Sequence, residues 1–152
     1  MSSSFFLGMQ ASLELKSFNT PEELKKFLDD EIGRIRTLLG DYLRRLEENR
    51  IKAERLKKAQ EAIVKLAGEK QVPSFEGREI DLSGLKILVN PGLKQEMEVL
   101  EDVVKSLQDK LNIIQKIRKA LDPLTSFEEG IVTISTVMSD NIPIRIMIYL
   151  KP

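Results

Sequence analysis

At 152 residues and 41% apolar composition, the chain is long enough to bury one core and apolar enough to fold. It has no cysteine and no histidine, which excludes disulfides, thiolate chemistry and the commonest general base and metal ligand. Its 24 basic and 24 acidic residues cancel, so any attraction to nucleic acid or anionic lipid must be local.

These exclusions predict a non-enzymatic, cytoplasmic protein with no metal site and no cofactor. No apolar run approaches the ~20 residues of a membrane span, so no membrane contact is expected. The absence of Cys, His and Trp beside abundant Lys, Glu and Arg hints at a thermophilic source.

The first residues lack the basic end, long apolar centre and cleavage site of a secretory signal. Met9 is a second candidate for the true start. From there Met9, Ala11, Leu13 and Leu15 alternate with Gln10, Ser12, Glu14 and Lys16, which predicts a strand over 9–16.

Asn19-Thr20-Pro21-Glu22-Glu23 then marks a helix start, with Thr20 as N-cap, Pro21 in the first turn and Glu23 closing a capping box. The helix is predicted over 21–67, ending at Gly68. Leu28, Ile35, Tyr42, Asn49, Leu56 and Ile63 fall at one core heptad position, and Ile32, Leu39, Leu46, Ala53, Gln60 and Ala67 at the other. Leu38, Leu43, Val64 and Leu66 widen this stripe beyond what a single partner helix covers, which predicts a homo-oligomer. Asn49 and Gln60, polar at core positions, are candidates for fixing register and oligomeric state.

Residues 68–90 read as a structured connection, with a strand over 85–89 that Ile80 to Leu82 can pair with. A second helix is predicted over 92–121, opened by Asn90-Pro91 and stopped by Asp122-Pro123. Its stripe of Leu93, Met97, Leu100, Val104, Leu107, Leu111, Ile114 and Leu121 is broken only at Arg118. Over 131–150, Val132, Ile134, Thr136 and Met138 alternate up to Ser139-Asp140-Asn141. Ile142, Ile144, Ile146, Ile148 and Leu150 then form a second alternating run, so the pair reads as a β-hairpin.

The expected fold is α+β: a long antiparallel coiled-coil hairpin of helices, a small antiparallel sheet formed by both termini, and a short β element between the helices. It should make a single elongated domain. Charge supports the antiparallel sense. Residues 50–65 carry six basic and two acidic side chains, whereas 92–109 carry two basic and five acidic. The first helix outruns the second, and the sequence places its unpaired end at Thr20, beneath the sheet.

The helix–β–helix order resembles the layout of prefoldin subunits, a likeness that implies a chaperone-like holder of client proteins. The strand-like termini depart from the free helical ends of that family.

Two clusters could carry chemistry. Arg44, Arg45, Arg50, Lys52, Arg55, Lys57 and Lys58 could follow the phosphates of a nucleic acid, but no aromatic residue among them offers stacking. An ordinary solvated helix face is the favoured reading, and nucleic acid is the disfavoured partner. The acidic groups Asp29-Asp30-Glu31, Glu96 with Glu98, Glu101-Asp102 and Glu128-Glu129 read as surface charge. A self-associating scaffold or protein-interaction module is therefore the expected function. The chaperone-like holder and a nucleic-acid-associated protein are the alternatives.

Overall fold

The computed structural model describes residues 12–67, 77–127 and 130–151. The chain is α+β. In order it forms β1 (Leu13–Phe18), α1 (Pro21–Ala67), β2 (Arg78–Leu82), β3 (Leu85–Val89), α2 (Leu93–Ala120), a 3-10 turn (Asp122–Ser126), β4 (Val132–Ser139) and β5 (Ile142–Leu150). It divides into two compact units. One comprises the chain up to Arg36 together with everything from Lys110 onward, and the other is Thr37–Asp109.

In the first unit, α1 starts as the sequence requires. The Glu23 N–H donates to Thr20 Oγ1 at 3.2 Å, and the Glu23 carboxylate reaches back to the Asn19 N–H at 2.9 Å. The first bond satisfies one of the otherwise unpartnered N–H groups of the helix start, and the second ties down the residue before the cap. The sheet is antiparallel with order β1-β4-β5, so β4 lies between two edge strands. Asp140 and Asn141 link β4 to β5, both with positive φ (52° and 62°), as a type I′ turn demands. The interior gathers Leu24, Leu28, Ile32 and Ile35 of α1, Ile114 of α2, and Phe18, Val132, Ile134 and Met138 of the sheet.

The register of this sheet decides which faces are buried. Opposed residues share a face, and Phe18 opposes Ile134 while Lys16 opposes Thr136. The even-numbered residues of β1 therefore lie on the buried side, and Leu13 and Leu15 turn outward, 63% and 67% exposed. Phe18 sets this phase. Its ring lies 5.8 Å from that of Phe27, and the Lys16 ammonium sits 4.6 Å over the Phe27 ring, a favourable place for a cation on the helix side. Met9 and Ala11, the start of the predicted strand, fall outside the described residues.

On β5 the isoleucine run does not keep one face. Val137 opposes Arg145 but Met138 opposes Pro143, so Ile144 is the extra residue of a bulge. Ile146, Ile148 and Leu150 lie on the inner side. Ile142, opposite Ser139, lies on the outer one.

The expected overhang is corrected. Lys25 pairs with Asp122 and Asp29 with Arg118, so the Thr20 end of α1 has the end of α2 and the turn after it alongside. It is the other end that lacks cover: every residue from 54 to 66 is exposed.

In the second unit, Leu46 of α1 and Leu100 and Val104 of α2 are buried. β2 and β3 form an antiparallel hairpin closed by Ser83 and Gly84, again with two positive φ values (53° and 89°). Asp81 Oδ1 accepts the Gly84 N–H at 3.0 Å. The start of α2 differs from expectation. Asn90 follows β3 with φ 52°, and Gly92, whose carbonyl accepts the Glu96 N–H at 3.0 Å, is the N-cap. Gln95 Oε1 reaches back to the Gly92 N–H at 3.0 Å and also accepts the Gly77 N–H at 3.1 Å.

Gly77 has no room for a side chain. A Cβ there would lie 2.7 Å from the Asn90 carbonyl oxygen and 2.8 Å from Pro91 Cα. Gly77→Ala should therefore cost about 1–3 kcal/mol locally, the usual range for overpacking. The expected readout is faster amide exchange in β2 and β3 with α1 unaffected; unchanged exchange in the hairpin would contradict the close approach.

Candidate functional site

Leu24, Leu28, Glu31 and Ile35 follow one another at spacings of four, three and four, which puts all four on one face of α1. Three are apolar and fully buried, and Glu31 is buried with them, 6% exposed. A carboxylate in that position needs partners on both oxygens.

Arg34, one turn on, grips it with two hydrogen bonds: Nε to Oε1 at 2.7 Å and Nη2 to Oε2 at 2.8 Å. Lys110 of α2 approaches Oε2 at 3.1 Å and also pairs with Asp140 of the β4–β5 turn at 3.2 Å. Asn141 Nδ2 donates to the same Oε2 at 3.4 Å. The Arg34 fork, helped by Lys110 and Asn141, outweighs burial and holds the Glu31 carboxyl down to about 2. Arg34 is correspondingly raised above its usual range by Glu31.

One ionised side chain thus ties α1, α2 and the β4–β5 turn together. It is saturated with donors and stays charged near neutrality, which suits a structural lock rather than a proton-transfer group.

A second ion-pair cluster lies farther along the same helices. Arg118, at the break in the α2 stripe, donates to Asp29 Oδ1 at 2.9 Å and to Asp122 Oδ1 at 2.6 Å. These carboxylates raise its guanidinium above its ordinary range, Asp29 first. Lys25 completes the group, 3.9 Å from Asp122. No buried side-chain polar atom lacks a hydrogen-bond partner among the described residues.

The candidate residues named from the sequence fare unevenly. Asn49 and Leu38 are half-buried, whereas Gln60, Leu43, Val64 and Leu66 are exposed. Of the basic stretch, Arg44 pairs with Asp41 and Arg50 with Glu47, each three residues apart on the same helix. Arg45 lies 5.6 Å over the Tyr42 ring. Lys52, Arg55, Lys57 and Lys58 are exposed and have no acidic partner within ion-pair distance among the described residues. Glu96, Glu98, Glu101 and Asp102 are exposed, and Glu128 and Glu129 lie outside the described residues.

Glu31 is the residue that sequence reasoning placed wrongly, as surface charge. The signal was present: it lies four residues before Ile35 and three after Leu28, inside the stripe rather than beside it. The expected attraction between 50–65 and 92–109 is not realised as ion pairs among the described residues. The pairs that join α1 to α2 are Asp29–Arg118 and Glu31–Lys110.

Among the described residues no three His, Cys, Asp or Glu side chains come together as a metal site. No helix of the described chain is long and apolar enough to cross a membrane. A cleft in the second unit, between β2–β3 and the first turns of α2, is lined by Glu79, Lys86, Leu88, Gln95, Glu98, Val99 and Asp102. Its lysine is already 3.9 Å from Glu79. No family model, curated relative or solved structure matches the chain.

Proposed function

We propose that this chain is a non-enzymatic, self-associating scaffold or protein-interaction module, acting in the cytoplasm, whose helices run as an antiparallel coiled-coil hairpin. The observation that carries this reading is the uncovered stretch of α1. The heptad stripe continues past Leu46, the last buried residue, through Leu56, Ile63, Val64 and Leu66, all exposed. A contiguous apolar stripe left bare on a monomer marks an interaction surface. The pairs Lys25–Asp122 and Asp29–Arg118 support the antiparallel sense, since one number rises as the other falls. The saturated state of Glu31 and Arg118 supports a structural rather than a catalytic use of the buried charges.

Sedimentation across a wide concentration range tests it. Masses above the 17.3 kDa of one chain, rising with concentration, are expected; a monomer throughout would remove the reading.

A second reading, a holder of client proteins, draws on the same exposed side chains and on Ile80, Leu82, Leu85 and Val89 of the hairpin, exposed as well. It requires that the protein suppress light scattering by an unfolded client. No suppression at stoichiometric excess would exclude it.

A further inference from the structure

The apolar layer under the sheet loses its cover one strand beyond β4. Val132, Ile134 and Thr136 of β4 are fully buried. Their opposed residues on β5 are not: Ile146 is half-buried, Ile148 is 42% exposed and Leu150 67% exposed. Strands lie only about 4.8 Å apart, so the helices stop covering the sheet within that distance.

Among the described residues β5 is also an edge, with a row of backbone donors and acceptors that no other strand pairs. Edges of this kind are normally blunted by charge, proline or a bulge. Pro143 and the bulge at Ile144 protect the first part of β5, but residues 145–150 contain one charge, Arg145, and no proline. The other edge, β1, is shorter and carries Glu14 and Lys16.

Resting on the self-association proposed above, we propose that β5 supplies an interface in addition to the α1 stripe, pairing antiparallel with β5 of a second copy. A strand paired antiparallel with its own copy makes a two-fold, self-complementary contact that closes on itself. The product is a six-stranded sheet of order β1-β4-β5-β5-β4-β1. Both inner faces then lie on the same side, and the bare isoleucines of one copy cover those of the other.

Charge selects the register. To keep inner faces together, even-numbered residues must oppose even-numbered ones. Centring the pair on Ile148 would set Arg145 against Lys151 of the second copy, which like-charge repulsion disfavours. Centring it on Met147 separates the two cations. Ile146 then faces Ile148 of the second copy, and Arg145 faces Tyr149, whose ring is half-exposed and suited to a guanidinium. A six-residue edge is small for an interface, so the assembly should be reversible with concentration.

The full chain is tested by sedimentation and amide exchange over a range of concentrations. A dimer is expected, with residues 145–150 exchanging more slowly as it forms. Ile148→Lys combined with Leu150→Lys places cations on the edge and should weaken association by at least about tenfold. Both positions are well exposed, so helix content by circular dichroism should be unchanged. Leu56→Lys combined with Ile63→Lys, on the bare stripe of α1, is the comparison. Association lost in the α1 variant but kept in the β5 variant would overturn the β5 interface while leaving self-association standing. A monomer at every concentration would overturn both, and exchange in β5 that ignores concentration would overturn the edge pairing.

Discussion

Leu28→Ala should cost about 2–5 kcal/mol, whereas Leu56→Ala in dilute solution should cost about 0.5 kcal/mol or less. The two leucines occupy the same heptad position of the same helix, four heptads apart, so a sequence pattern assigns them equal weight. Their surroundings differ. Leu28 is fully buried in the first unit, in an interior that also holds Leu24, Ile35, Ile114 and the apolar face of β4. Truncation there removes the transfer energy of the side chain and leaves a cavity that a close-packed interior only partly fills. Leu56 is half-exposed, within a run where every residue faces solvent. Truncation there removes little buried area, and alanine's helix propensity offsets part of the loss. Urea denaturation of both variants at low protein concentration measures the contrast. Equal costs would mean that α1 is covered along its whole length.

That contrast also marks the limit of what this sequence could say. The start of α1 was legible because Thr20, Pro21 and Glu23 act within one turn, and local chemistry is all a cap requires. The β2–β3 hairpin was legible for a similar reason: Ser83-Gly84 can supply two positive φ values between short apolar runs. A heptad stripe, in contrast, shows that a helix can be covered, not where the cover ends. The second helix was assigned to the wrong end of α1 because length difference alone does not choose a pole. Ion pairs at Asp29–Arg118 and Lys25–Asp122 do choose it.

In β1 the alternation identified two faces but not which one is buried. Phe18, outside the Leu13–Leu15 phase, decided that through Ile134 and Phe27. The bulge at Ile144 was not legible at all, because it exists only in relation to the register of β4. At the ionic cluster, the residue types were visible but their meeting was not. Glu31, Lys110 and Asp140 are separated by 79 and 30 positions, and only the folded chain brings Lys110 to 3.1 Å from Glu31 and 3.2 Å from Asp140.

The Glu31 cluster should dominate the acid sensitivity of the fold. Its carboxyl titrates at about 2 in the folded chain against an ordinary 4.5. At about 1.4 kcal/mol for each pH unit of such a displacement, the cluster contributes up to about 3 kcal/mol at neutral pH. Arg34 is half-exposed, so solvent screening makes this an upper value.

The sign follows from proton counting. Between pH 4.5 and 2 the unfolded chain binds a proton at Glu31 that the folded chain does not, so the contribution is complete above 4.5 and lost as pH falls through 2. Glu31→Gln is nearly isosteric with the protonated side chain. At pH 7 it removes the charge that Arg34 and Lys110 hold, and about 2–3 kcal/mol should be lost. Near pH 2 the parent's Glu31 is itself becoming neutral, so variant and parent should converge. Denaturation of both proteins at neutral and acid pH measures this. A stability difference that stayed constant across the range would show that Glu31 contributes through shape and packing rather than through its charge.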